Sequence, residues 1–148
     1  MGHKATVSGS GSCSYRFNNL KKGETYKGYV RAWKRVNGEK TFIGESPCVH
    51  AVAGEYNSEW CNVTAVKLNR SSLILRAGES KALKATVSLA KSGRKALQHE
   101  KPVRYYSSNP NVARVSSSGM VKAVGKGRCT IYALAVNGVR ASVKITVK

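Results

Sequence analysis

Arg128-Cys129-Thr130-Ile131-Tyr132-Ala133-Leu134-Ala135-Val136-Asn137-Gly138-Val139-Arg140-Ala141-Ser142-Val143-Lys144-Ile145-Thr146-Val147 is the stretch on which the fold turns. Cys129, Ile131, Ala133 and Ala135 recur at every second position, and Val143, Ile145 and Val147 resume that period after Asn137-Gly138. A period of two places all of these side chains on one side of a pleated strand. Asn-Gly readily takes the left-handed backbone of a tight turn, so the two runs are predicted to form a hairpin. A hairpin of this length does not bury its apolar side by itself and needs a facing sheet.

The stretches upstream supply strands for that sheet. Val66 with Leu68, and Leu73 with Leu75, read as two short strands ended by polar residues or glycine. Leu83, Ala85, Val87 and Leu89 form the apolar side of one half-buried strand running from Lys81 to Leu89. Val103 and Tyr105 open another strand, Ser107-Ser108-Asn109-Pro110 makes a turn, and Val112–Val115 and Gly119–Val124 follow as short strands. Nearer the N-terminus, Cys13, Tyr15 and Phe17 alternate with polar residues. A long strand is predicted from Thr25 to Val36, joined through Asn37-Gly38 to Glu39–Ile43, with a weaker alternation at Val49, Ala51 and Ala53. No segment carries a helical period. The fold class is therefore all-β: a sandwich over 63–148, a linker over 56–62, and a smaller β region over 1–55.

Charge is the most unusual property of the composition. There are 26 Lys and Arg against 7 acidic residues, all Glu, for a formal net charge of +19. Residues 1–55 hold 9 basic and 4 acidic side chains, and the remainder holds 17 and 3. Such a surface repels its own copies, so a monomer is expected, and it attracts polyanions in a salt-dependent way. The segment Ala90–Pro102 has no period and reads as an exposed loop. Lys91, Arg94, Lys95, Lys101 and the adjoining Arg104 are the candidate polyanion-binding residues, gathered at one end of the sandwich. Tyrosines and tryptophans beside basic residues add a stacking capacity suited to sugar rings or bases, although core packing is the commoner use of such side chains.

Several function classes lose their footing in the sequence. With no Asp, and with His3, His50 and His99 scattered, no nucleophile–base–acid constellation is spelled out. His99 reads as an exposed loop residue. The Glu residues are isolated, so neither a calcium loop nor a paired-carboxylate site is present. Cys13, Cys48, Cys61 and Cys129 lack C-x-x-C or histidine spacing, and no metal or other cofactor is expected. Four cysteines permit three disulfide pairings, among which the sequence does not choose, and Cys129 in its alternating run reads as a buried thiol. Gly125-Lys126-Gly127-Arg128 precedes no helix and so is not a phosphate loop. No run of 18 apolar residues exists, so no membrane insertion is expected, and no nucleic-acid motif accompanies the charge.

Two resemblances follow from particular residues. Val66, Leu68, Leu73, Leu75, Ala77-Gly78-Glu79, Tyr105-Tyr106-Ser107-Ser108-Asn109-Pro110, Val112-Ala113, Val115, Gly119, Val121, Ala123-Val124-Gly125, Gly127, Thr130-Ile131 and Val143–Val147 resemble the bacterial immunoglobulin-like domain of group 2. This covers essentially all of 63–148. It departs at Tyr105, where that family usually carries tryptophan, and at Cys129, where a small residue is common. Tyr15-Arg16-Phe17, Leu20, Gly23, Thr25-Tyr26, Val30-Arg31-Ala32-Trp33 and Asn37-Gly38 resemble the second half of a fibronectin type III domain, Leu20 and Tyr26 matching its tyrosine corner. Nothing before His3 matches the first half, so residues 1–55 read as a partial, truncated domain.

These resemblances imply an immunoglobulin-like β-sandwich that is not an enzyme. The implied role is a structural or adhesion module on the surface of a bacterium or outside it, spacing or presenting other domains of the same chain. Signal and anchor are expected outside this fragment. The alternative partner is an anionic cell-wall polymer or a host glycan, bound by the basic surface.

Overall fold

In the computed structural model, residues 4–9, 13–97 and 102–148 are described, and every regular element among them is a strand. The first four are β1 (Thr25–Gly28), β2 (Arg31–Val36), β3 (Glu39–Glu45) and β4 (Val49–Val52), forming two ribbons, β1 with β4 and β2 with β3. The single strand expected from Thr25 to Val36 is thus interrupted at Tyr29-Val30. There the Val30 amide donates to Ser46 Oγ (2.9 Å) and the Ser46 amide donates to the Val30 carbonyl (2.8 Å). A side chain takes over the ladder beside Pro47, which has no N–H to offer. The Asn37-Gly38 turn forms as predicted, with φ of 52° and 84°, the geometry that matches strand twist. Every residue of β2 is exposed. Below the ribbons, the Lys21 amide donates to the Tyr26 hydroxyl at 3.0 Å.

The sandwich begins with β5 (Trp60–Cys61), β6 (Val63–Leu68), β7 (Ser72–Leu75), β8 (Ser80–Ala82) and β9 (Ala85–Leu89). It continues with β10 (Lys95–Ala96), β11 (Val103–Ser107), β12 (Ala113–Val115), β13 (Met120–Ala123), β14 (Gly127–Ala135) and β15 (Arg140–Val147). One layer is a four-stranded sheet in the order β11-β14-β15-β7, with β7 parallel to β15 and the other neighbours antiparallel. Facing it are the three-stranded sheet β12-β13-β8 and the β6-β9 pair. Between the layers Ile131, Val143, Ile145 and Val147 meet Leu83, Ala113 and Val121. A neighbouring cluster joins Val63 and Val66 to Val103, Ala133 and Ala135. Within the sandwich the apolar positions read from the period of two are buried or half-buried, whereas Cys13, Tyr15 and Phe17 near the N-terminus are exposed and lie in no strand.

Two connections differ from the sequence-based expectation. The strand predicted over Lys81–Leu89 is β8 and β9, paired to different neighbours, β8 to β13 and β9 to β6. Between them the Leu83 amide donates to the Gly119 carbonyl (2.9 Å), while the Lys84 amide donates to Asn69 Oδ1 (3.0 Å). From Leu83 onward the odd-numbered positions are the buried or half-buried ones, while all three residues of β8 are exposed. The Asn137-Gly138 hairpin exists, but its loop is longer than two residues. The Ala135 amide donates to the Val139 carbonyl (2.8 Å), and of the turn residues it is Gly138 that takes positive φ, 90°. Asn137 instead donates its side-chain amide to the Val63 carbonyl at 2.8 Å, tying the hairpin tip to β6.

Tyr105 fills the aromatic position with a ring packed against the core and its hydroxyl close to Gly119. Burial pushes its phenol above the ordinary 10.0, with the Ala85 backbone acting more weakly the other way. The un-ionised form is therefore favoured by folding: this contribution is complete below pH 10.0 and is lost as pH rises through the folded-state value. Thermal melts taken at rising alkaline pH should show a decline in Tm that is shallower in Tyr105→Phe.

Candidate functional site

The segment between the two regions is a built junction. Asn62 uses its side chain as if it were a peptide group: Nδ2 donates to the Val52 carbonyl and the Val52 amide donates to Oδ1, each at 2.8 Å. Its own backbone continues the ladder, the amide donating to the Glu55 carbonyl (2.7 Å) and the carbonyl accepting from Ala90 (3.0 Å). Asn57 reaches the Gly23 carbonyl with Nδ2 at 2.9 Å, while its Oδ1 accepts from the Glu59 and Trp60 amides. The His50 amide donates to the Val136 carbonyl at 2.8 Å, and Gly138 faces Val49. Beneath these bonds Val52 is 2% exposed and Cys61 is completely buried. The stretch read as a linker over 56–62 is thus hydrogen-bonded along its length, because Asn57 and Asn62 satisfy backbone groups that a free linker would leave to water.

Of the five candidate polyanion-binding residues, Lys91, Arg94, Lys95 and Arg104 lie among the described residues. Arg104 is partly buried and donates Nη2 to the Cys48 carbonyl at 2.7 Å, so it belongs to the junction. Lys91, Arg94 and Lys95 are exposed, the Lys91 ammonium lying 5.7 Å from the Tyr56 ring centre and Lys95 standing opposite Trp60 in the β10-β5 pair. Lys101 lies outside the described residues, as do His3 and His99. His50 sits in β4. Among the described residues no group of three or more His, Cys, Asp or Glu side chains is arranged to hold a metal ion. An open groove of about 620 Å³ between β7 and β8 is lined by apolar and charged side chains that include Leu73, Glu79 and Lys81.

A second surface was not singled out from sequence. The outward side of the four-stranded sheet carries Tyr106 directly opposite Tyr132, with Arg128, Thr130, Arg140 and Lys144 around them. The Arg140 guanidinium lies 5.4 Å from the centre of the Tyr132 ring. None of the four strands contains Asp or Glu. Both ion pairs found among the described residues, Lys21–Glu24 (3.1 Å) and Arg31–Glu45 (2.6 Å), lie in the N-terminal region. Alternation tells which side chains of β14 and β15 face outward. The neighbouring β11, distant in sequence, could be added only once the pairing was known.

Two facing layers of mainly antiparallel strands closed over a shared apolar interior define this chain as an immunoglobulin-like β-sandwich module. Residues 62–147 match the model of the bacterial Ig-like domain (group 2), and the chain belongs to that family. A kappa-carrageenase from Pseudoalteromonas carrageenovora is 36% identical over 104 residues, which is 70% of this chain and 23% of the carrageenase. The chain thus spans about a quarter of that relative's length. Among solved structures, domains 4 and 5 of the S-layer protein SbsC are similar at 17% identity and TM-score 0.47, covering 80% of this chain and 75% of theirs. An intimin mutant from EHEC O157:H7 is similar at 21% identity and TM-score 0.44, covering 57% of this chain and 46% of its own.

Proposed function

We propose that this chain is a non-catalytic spacing module of a larger bacterial surface or extracellular protein, presenting its neighbouring domains in a fixed relative orientation. The junction is the observation that carries the reading. A tether intended to flex would not commit two asparagine side chains, an arginine and a buried valine and cysteine to fixing the path of the chain. Family membership supports placement outside the cell. Residues 1–55 act in this reading as a partial fibronectin type III-like region. The bond from the Lys21 amide to the Tyr26 hydroxyl supports that, being the contact a tyrosine corner makes.

The test is backbone ¹⁵N relaxation, reporting how each region tumbles. One rotational correlation time shared by residues 25–52 and 63–147 is expected. Asn62→Ala removes two bonds to a buried backbone and should cost about 2 kcal/mol and separate the two correlation times. Independent tumbling in the unaltered chain would end the spacer reading.

A second reading, binding of an anionic cell-wall polymer or glycan, is favoured by one observation. The net charge of +19 is met by ion pairs only in the N-terminal region among the described residues.

A further inference from the structure

We infer that the outward side of the β11-β14-β15-β7 sheet is a binding site for a linear anionic polysaccharide. The inference rests on the polyanion-binding reading and gives it a location and a ligand class. Tyr106 and Tyr132 occupy partner positions on adjacent strands, about 5 Å apart across the sheet. Tyr106 is 37% exposed. Because Tyr132 pairs with Ser142, Arg140 and Lys144 on β15 lie one rung to either side of it, and Arg128 on β14 lies two rungs away beyond Thr130. Rungs on one side of a strand repeat about every 7 Å, so a polymer lying along the strands meets a cation, the tyrosines, a second cation and a third in succession.

The chemistry of this row selects its occupant. A sheet surface that only needed to be wet would mix charges, since like charges around one ladder repel and opposite ones help hold the strands. Here the cations stand without any carboxylate in the four strands. Among the described residues no ion pair compensates them. Arginine and lysine recognise sulfate or carboxylate groups, tyrosine offers an apolar ring to the C–H face of a sugar with a hydroxyl at its tip, and Thr130 and Ser142 can exchange hydrogen bonds with sugar hydroxyls. A row of side chains repeating along the strands suits an extended chain better than a compact ligand. A nucleic acid would share the charge and the stacking, but a bacterial Ig-like module of the kind proposed above meets polysaccharides outside the cell.

Calorimetric titration of the whole chain with dextran sulfate, uncharged dextran and a single-stranded DNA oligonucleotide tests this, at low and at physiological salt. The face variant Arg128→Gln/Arg140→Gln/Lys144→Gln is compared with the remote variant Lys27→Gln/Lys34→Gln/Lys67→Gln, which loses the same charge. Amide spectra confirm that both remain folded. The face variant should bind dextran sulfate at least about tenfold more weakly and the remote variant within about twofold of the unaltered chain. Tyr106→Ser should weaken dextran sulfate about fivefold while leaving inorganic polyphosphate, which has no sugar ring, unchanged. Equal weakening by the two triple variants would show that net charge alone acts and would overturn the site. Loss confined to a Lys91→Gln/Arg94→Gln/Lys95→Gln variant would overturn it as well, moving binding to the loop. Tighter, face-dependent binding of the oligonucleotide would overturn the ligand class. Absence of binding to every polyanion at low salt would instead remove the polyanion reading beneath it.

Discussion

Gly119→Ala is expected to destabilise the sandwich by about 3 kcal/mol, combining the strain of a left-handed backbone with overpacking. Gly119 has φ of 86°, and a Cβ built there would lie 2.5 Å from the Leu83 carbonyl and 3.0 Å from the Tyr105 ring. The first neighbour is backbone and cannot rotate away. It belongs to the step between β8 and β9, where the Leu83 amide also donates to the Gly119 carbonyl. Relief therefore requires moving the point at which the chain changes sheet partners. Urea unfolding checks the expectation: the midpoint should fall while the slope remains that of the unaltered chain. A midpoint unchanged within error would mean that the close approach at Leu83 does not constrain the fold.

Ile131→Ala should cost about 4 kcal/mol, near the upper part of the range for deleting a large buried aliphatic side chain. Ile131 is 0% exposed in the middle of β14, with β15 on one side and β11 on the other, and the opposing layer over it. Being central in the four-stranded sheet, it cannot collapse into the space it vacates without breaking ladder bonds on both sides. Ile74→Ala is the matched comparison, since Ile74 lies on edge strand β7 and is 66% exposed. That change should stay within about 0.5 kcal/mol. If the two variants unfold at the same denaturant concentration, the assignment of inward and outward sides along the sheet is wrong.

The inward side chains were legible because burial in a sandwich follows a period of two, which local sequence displays directly. Cys129, Ile131, Ala133, Ala135, Val143, Ile145 and Val147 are all buried. Turn chemistry was legible as well: Asn37-Gly38 and Asn137-Gly138 both reverse the chain, although the second loop is longer and its Asn137 bonds to the Val63 carbonyl. What local pattern could not show is where one strand becomes two. At Val30 and at Lys84 the ladder is interrupted by side chains that lie 16 and 15 residues away, Ser46 and Asn69. The same limit hid the junction. Asn62 between two apolar residues looks like an ordinary polar break, and Arg104 looks like one more cation near the loop. Their partners Val52 and Cys48 lie 10 and 56 residues upstream. Charge counting located a basic domain but not its face, because Tyr106 meets Tyr132 only through a pairing of distant strands.

The parallel pairing of β7 with β15 carries a mechanical consequence for a module placed in series with others. Tension applied through Lys148 draws β15 toward its C-terminal end, while tension arriving from upstream draws β7 toward its N-terminal end. The two strands run the same way, with Lys144 to Val147 beside Ser72 to Leu75, so once β6 has been drawn off β9 the opposing pulls slide one along the other. Sliding loads all the bonds of that seam together, whereas an antiparallel pair pulled from one end would unzip them one at a time.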